Sequence, residues 1–282
     1  SKKKEVTPEG TPDKNVFDIQ QGVSIIIGVK KKGKRKEAGQ IFHGELWGTR
    51  SEKYSALSTN DYSTICPSLI IPRDPFWVLD NWDYTGAAVY EKGFNVTEFM
   101  KVNSTGIKTH RDHFAIGFDN LEVSNRVIAL RDNSLSDDIV SQRYSLKNTR
   151  DWRLSTARKS AGLIDVHEVI EQCAFRPFDN RWCIFSDIAM DWPRSEVMRH
   201  MARGHNIGLA TARSNKNPQT DHFFVVDKIM ETKCAESSTQ SALFPLYLYP
   251  DEQDLDHTRR INFDPKLWKK LQKLAKHPTH GI

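Results

Sequence analysis

Residues 103–118, NSTGIKTHRDHFAIGF, constrain this chain more than any other stretch. A flexible Ser-Thr-Gly lead-in runs into two cations and two histidines, and then into alternating apolar residues. Phe114, Ile116 and Phe118 keep a period of two, so HFAIGF predicts a half-buried strand entered from a polar loop. Lys108, Thr109 and Arg111 then lie where a loop hands over to a sheet, a good place to hold cations towards a polyanion. A plain polar turn ahead of a strand fits the same residues.

The 282 residues carry a net charge of +5, with a hydrophobic fraction of 38%. That describes a polar globular chain, basic enough to permit a nucleic-acid partner without demanding one. No apolar run approaches the ~20 residues that span a bilayer. The N-terminal SKKKEVTPEGTPDKN has cations but no apolar signal-peptide core. Cys66, Cys173, Cys183 and Cys234 are scattered, with no CxxC pair, so a zinc site is not expected. Scattered thiols and no export signal favour the reducing cytoplasm.

Val23–Val29 is β-branched and nearly continuous, as in a strand buried on both faces. KKKGKRK follows, and Gly39–Trp47 returns, which predicts a β-hairpin with a basic tip, either a solvated turn or a phosphate contact. Residues 48–102 are turn-rich and aromatic, with a short helix at TEFM capped by Asn95 or Thr97. Residues 146–158 gather four cations around Trp152. In CAFRPFDNRWCIF two apolar runs flank Pro177-Phe178-Asp179-Asn180, which predicts a hairpin with Arg176 and Arg181 at its ends. These arginines could bridge guanine or pair with Asp179 or Asp187.

Asp191–Gly204 reads as a helix with Asp191 as cap, Pro193 in the first turn and a cationic side that includes Arg199. Asn206–Ala212 and His222–Val226 predict strands. Between them Arg213, Ser214, Asn215 and Lys216 form a polar loop suited to reading base edges or phosphates. Phe244–Tyr249 predicts an edge or closing strand. Asp264–Lys276 predicts a helix, with Asp264 as cap, Pro265 first, three leucines on one face and lysines opposite.

Catalytic signatures are sparse. His110, Asp112 and His113 could form a metal-dependent hydrolase or nuclease site, but they lack the HExxH spacing. No GxSxG elbow occurs. No Gly-rich loop follows a strand to hold S-adenosylmethionine. Asp74-Pro75-Phe76 lacks the second proline of the motif that holds a flipped adenine.

TGIKTHRDHFAI, NVFDIQQGVSI and FRPFDNRW together resemble type ISP restriction-modification enzymes, and FPLYLY matches a phrase near the end of their recognition region. The first stretch resembles adenine-N6 DNA methyltransferases more loosely, with His110 where those relatives carry glycine. The resemblance runs from Asn15 to about Leu274. It implies a mixed α/β fold: residues 1–50 the tail of a Rossmann-like methyltransferase domain ending in a β-hairpin, 51–102 a connector, 103–282 a mixed-sheet target-recognition domain. The partners implied are double-stranded DNA and the catalytic portions of a parent enzyme. That parent would use S-adenosylmethionine and ATP, whereas this chain would hold no cofactor or metal and be catalytically silent. The expected DNA contacts are Lys108, Thr109, Arg111, Arg176, Arg181, Arg199, Arg213, Ser214, Asn215 and Lys216.

Overall fold

The computed structural model describes residues 6–274 apart from 18, 20, 31, 34–38, 75, 203, 215–221, 252 and 256. Contacts divide the chain into two units, Ser1–Glu91 and Lys92–Ile282.

In the first unit β1 (Ile41–His43) pairs antiparallel with β2 (Ser68–Ile70), Ile41 opposite Ile70. Between them lie α1 (Arg50–Thr59) and α2 (Tyr62–Ile65); α3 (Ala87–Tyr90) follows. A reciprocal capping box starts α1: Glu52 N–H donates to Thr49 Oγ1 at 3.3 Å, and Thr49 N–H donates to Glu52 Oε2 at 2.7 Å. Lys53, on this helix, is buried against Asp13 at 2.7 Å. The hairpin expected from Val23 to Trp47 does not form. β1 takes β2 as its neighbour, and Val23–Val29 has no regular structure, with Ile25, Ile26 and Ile27 exposed by 73%, 79% and 84%. β-Branched residues favour a strand only where a neighbour pairs their backbone. Most of the basic tip lies outside the described residues.

The second unit begins before residue 103. α4 (Val96–Phe99), capped by Asn95, brings Phe99 onto Phe263 with ring centroids 4.4 Å apart. Asn262 fixes the following segment, accepting from Val102 N–H at 3.1 Å and donating to Val102 O at 2.7 Å. Residues 92–102 thus pack within the C-terminal unit.

The strands and helices that follow are β3 (Ser104–Thr105), α5 (Asp112–Ala115), β4 (Ile116–Gly117), α6 (Asn120–Arg131), α7 (Asp137–Arg143) and α8 (Leu154–Ala161). Then come β5 (Ile170–Arg176), β6 (Asp179–Ile184), α9 (Ser195–Ala202), β7 (Gly208–Ala212), β8 (Phe223–Val226), β9 (Ile229–Met230) and β10 (Ser241–Pro245). β11 (Tyr247–Leu248), β12 (Arg260–Ile261) and α10 (Pro265–Leu274) close the unit. One four-stranded sheet is antiparallel throughout, in the order β3-β10-β7-β8. The other runs β4-β6-β5-β9, with β9 parallel to β5. The helix α6 buries Val123, Val127 and Leu130 at helical spacing in the main core, and Asp119 caps it.

The 103–111 segment joins the two sheets. Ser104 and Thr105 pair with β10, and Ile107 then bonds the backbone at β9, donating to Met230 O at 2.8 Å and accepting from Thr232 N–H at 3.0 Å. Gly106 is needed at the crossing, because a Cβ there would lie 2.5 Å from the Glu231 carbonyl carbon. The strand expected over HFAIGF is confined to Ile116–Gly117. Residues 112–115 form one helical turn that buries Phe114 completely. Phe244 lies on β10, an inner strand buried along its whole length, not on an edge. The helix expected from Asp191 starts at Ser195, and Asp191 has a different task.

Candidate nucleic-acid interface

Asp191 is the anchor of the loop. Its side chain is 1% exposed and accepts from Arg111 Nη2 at 2.5 Å, while its second oxygen lies 2.5 Å from His110 Nδ1. Arg111, itself 4% exposed, also donates to the carbonyls of Thr109 (2.8 Å) and Ala189 (3.2 Å) and stacks 4.0 Å over Trp152. Thr109, 2% exposed, donates to the Asp112 carboxylate and accepts from Arg111 N–H. Thr109 and Arg111, expected to face DNA, are instead committed inside the protein. A buried guanidinium needs its donors satisfied, and this one finds carbonyls and a carboxylate.

That buried pair presents the rest of the loop outward. His110 adopts φ +54, the left-handed conformation that glycine would take without strain, and its bond to Asp191 holds it there. Lys108 exchanges backbone hydrogen bonds with Trp192 at 3.0 and 3.1 Å. Three cationic or titratable groups then surround the half-buried Trp192 ring. Lys108 Nζ lies 5.0 Å from its centroid, Arg194 Cζ 5.7 Å, and the His110 ring packs edge-on at 5.3 Å. Arg194 also has φ +54, and its buried Nε has no hydrogen-bond partner among the described residues. Arg150 pairs with Asp151, and this hydrogen bond holds the Asp151 carboxyl below the ordinary range.

A second cationic feature lies on the β5–β6 hairpin. Arg181 stacks between Phe118 (4.5 Å) and Phe175 (4.1 Å), and Arg176 lies 4.0 Å from Phe175. Asp179 holds Arg181 in a fork at 2.8–3.1 Å, and the buried Glu231 holds Arg176 at 2.6 Å. Burial keeps the Glu231 carboxyl above its ordinary range, against the opposing pull of Lys233 N–H and Arg176. Both arginines are therefore fixed in direction by carboxylates. The turn is Pro177-Phe178, with Phe178 at φ +62 and 97% exposed.

The family model of the Type ISP C-terminal specificity domain matches residues 98–281. The chain belongs to this family. No curated protein matches the chain. Similar solved structures include a DrdV–DNA complex, 19% identical over 83% of this chain and 25% of that one, with a TM-score of 0.49. A nuclease-deletion mutant of the Type ISP restriction-modification enzyme LlaGI with a DNA substrate mimic is 15% identical over 82% and 23%, with a TM-score of 0.46. The ATP-dependent Type ISP enzyme LlaBIII bound to DNA is 16% identical over 84% and 16%, with a TM-score of 0.51. The last of these likenesses concerns the fold alone. The chain spans a quarter or less of each of those chains.

Within this Type ISP specificity domain the other expected contacts are dispersed. Arg199 donates to Asp251 at 2.7 Å and to Tyr249 O at 3.3 Å. Arg213 and Ser214 lie at the end of β7, where Ser214 Oγ is 3.0 Å from Thr239 Oγ1. Asn215 and Lys216 lie outside the described residues. The metal reading gathers no site: His113 Nε2 lies 2.9 Å from Tyr144 O, Asp112 bonds Thr109, and His110 turns to Asp191. Among the described residues, the one grouping of three metal-capable side chains is His43, Glu45 and Asp80 in the first unit. Trp192 and Arg194 are not among the contacts expected from the sequence. Their signal is the aromatic and cation close together in DWPR, a string that equally suits a helix start.

Proposed function

We propose that this chain reads DNA sequence as the specificity part of a larger Type ISP restriction-modification enzyme. The observation that carries this reading is the Trp192 cluster, where Lys108, His110 and Arg194 gather beside a buried, hydrogen-bonded Arg111–Asp191 pair. A rigid support is what a reader of sequence needs, because base contacts lose selectivity when their donors are loosely held. Lysine and arginine supply affinity for phosphates; guanidinium and imidazole donors supply contacts to base edges. Family membership over residues 98–281 supports the same reading, as does the fold shared with LlaBIII, a structure bound to DNA.

In this reading the chain is catalytically silent, and S-adenosylmethionine-dependent adenine methylation and ATP-driven steps belong to other parts of the parent enzyme. Among the described residues no helix is long and apolar enough to cross a membrane. The test is selection from a pool of random duplexes at several salt concentrations, followed by sequencing of the bound fraction. Enrichment of one short sequence, abolished when Lys108 and Arg194 are both replaced by alanine, is the expected result. Binding without enrichment of any sequence overturns the specificity reading.

A further inference from the structure

The helix α10, PKLWKKLQKL, carries four lysines and no carboxylate. Lys266, Lys269, Lys270 and Lys273 are spaced i, i+3, i+4 and i+7, so they form one stripe, and all four are exposed. The opposite face seats Trp268 against the rings of Phe263 (5.1 Å) and Phe99 (6.4 Å), which fixes the stripe outward. Lys270 Nζ donates to Lys92 O at 2.9 Å, but Lys266, Lys269 and Lys273 have no ion-pair partner among the described residues. The nearest carboxylate at the helix start, Asp264, is used by Lys101 at 2.9 Å and by the backbone N–H groups of Lys266 and Leu267.

This arrangement opposes helix stability. Like charges at i,i+3 and i,i+4 repel one another, and Lys266 also sits in the first turn against the positive end of the helix dipole. A merely solvated face would intersperse acidic residues and gain from the same spacings. Successive tiers of the stripe are spaced by roughly 5 Å along the axis, at ~1.5 Å per residue. Duplex DNA offers a phosphate about every 3.4 Å per strand, so flexible lysine stems on each tier can reach neighbouring phosphates.

We propose that the lysine face of α10 docks on the phosphate backbone of duplex DNA without regard to sequence, clamping the duplex while other residues read it. The proposal rests on the reading that this chain engages DNA, but it makes a separable claim. The test compares the chain with a variant carrying K266Q, K269Q, K270Q and K273Q, glutamine being a good helix former. Affinity for a duplex of arbitrary sequence is measured from about 50 to 200 mM salt, where phosphate contacts dominate. The variant should bind at least tenfold more weakly at the low end, and its slope of log affinity against log salt should fall by about 0.9 for each phosphate it no longer neutralises. Acetylation of the same lysines in the unaltered chain should be suppressed by the duplex, a readout that does not depend on the variant folding. Unchanged affinity and slope, with undiminished acetylation, overturn the clamp while leaving target reading intact. Lysine-dependent binding that never selects a sequence supports the clamp and overturns target reading. No duplex binding at the lowest salt overturns both.

Discussion

Arg111 and Asp191 lie 2.5 Å apart with side chains 4% and 1% exposed, and the same carboxylate also holds His110 in a left-handed backbone conformation. One buried charge pair thereby joins the 103–111 loop to the chain just ahead of α9 and sets which side chains face outward.

Removing one partner of this pair leaves an uncompensated buried charge. Arg111→Ala and Asp191→Ala should each lower stability by about 3 kcal/mol or more, read as a lower urea midpoint. Arg111→Lys should recover little, because an ammonium cannot fork between Asp191 and two carbonyls while stacking on Trp152.

At the surface the balance is different. Lys108→Ala should weaken binding to all duplexes and lower the salt slope by about 0.9 if one phosphate loses its cation, whereas Arg194→Gly should also flatten the preference for one sequence. Glycine accepts the φ of +54 found at Arg194, so stability should hold in a thermal melt while binding falls.

The hairpin tip offers a test of strain. Phe178 is 97% exposed at φ +62, a conformation costing roughly 1–2 kcal/mol for an ordinary residue. Phe178→Asn should raise the urea midpoint, since asparagine tolerates this region and little burial is given up. A lowered midpoint would mean that the edge-on contact with Phe224 outweighs the strain.

Burial raises the carboxyl groups of Glu231 and Glu171 above their ordinary value of 4.5. The folded state then binds these protons more readily than the unfolded chain, so stability falls as pH rises from 4.5 through the raised folded values. Glu231→Gln should flatten this decline, measured as urea midpoints at about pH 5 and pH 7. An unchanged decline would exclude Glu231 as its source.

The thiols should differ sharply. Cys183 is raised well above the usual range by its hydrogen bond with Cys173 and by burial, and Cys234 is pushed up to about 12, chiefly by burial. Thiolates are the reactive form, so iodoacetamide at mildly alkaline pH should label Cys66 in the native protein before the three buried cysteines. Peptide mass spectrometry identifies the labelled residue.

Local chemistry makes some elements legible in advance. The helix α10 follows from Asp264, Pro265 and periodic leucines, and the β5–β6 hairpin from two apolar runs around Pro177-Phe178, because caps, turns and periodicity are carried by neighbours in sequence. The start of α1 is written just as locally, in the Thr49 and Glu52 box, inside a stretch whose turn-forming residues and aromatics mask it. Val23–Val29 misleads because β propensity does not say whether a partner strand is present. Lys108 and His110 stand out from composition, whereas the burial of Thr109 and Arg111 does not. The cluster around Trp192 joins residues some eighty positions apart through a carboxylate at Asp191 that resembles a helix cap. Sequence by itself determined the supply of cations, turns and apolar faces. Only the tertiary structure decided which cations are consumed by buried carboxylates and which remain outside, because that partition depends on long-range approach and desolvation.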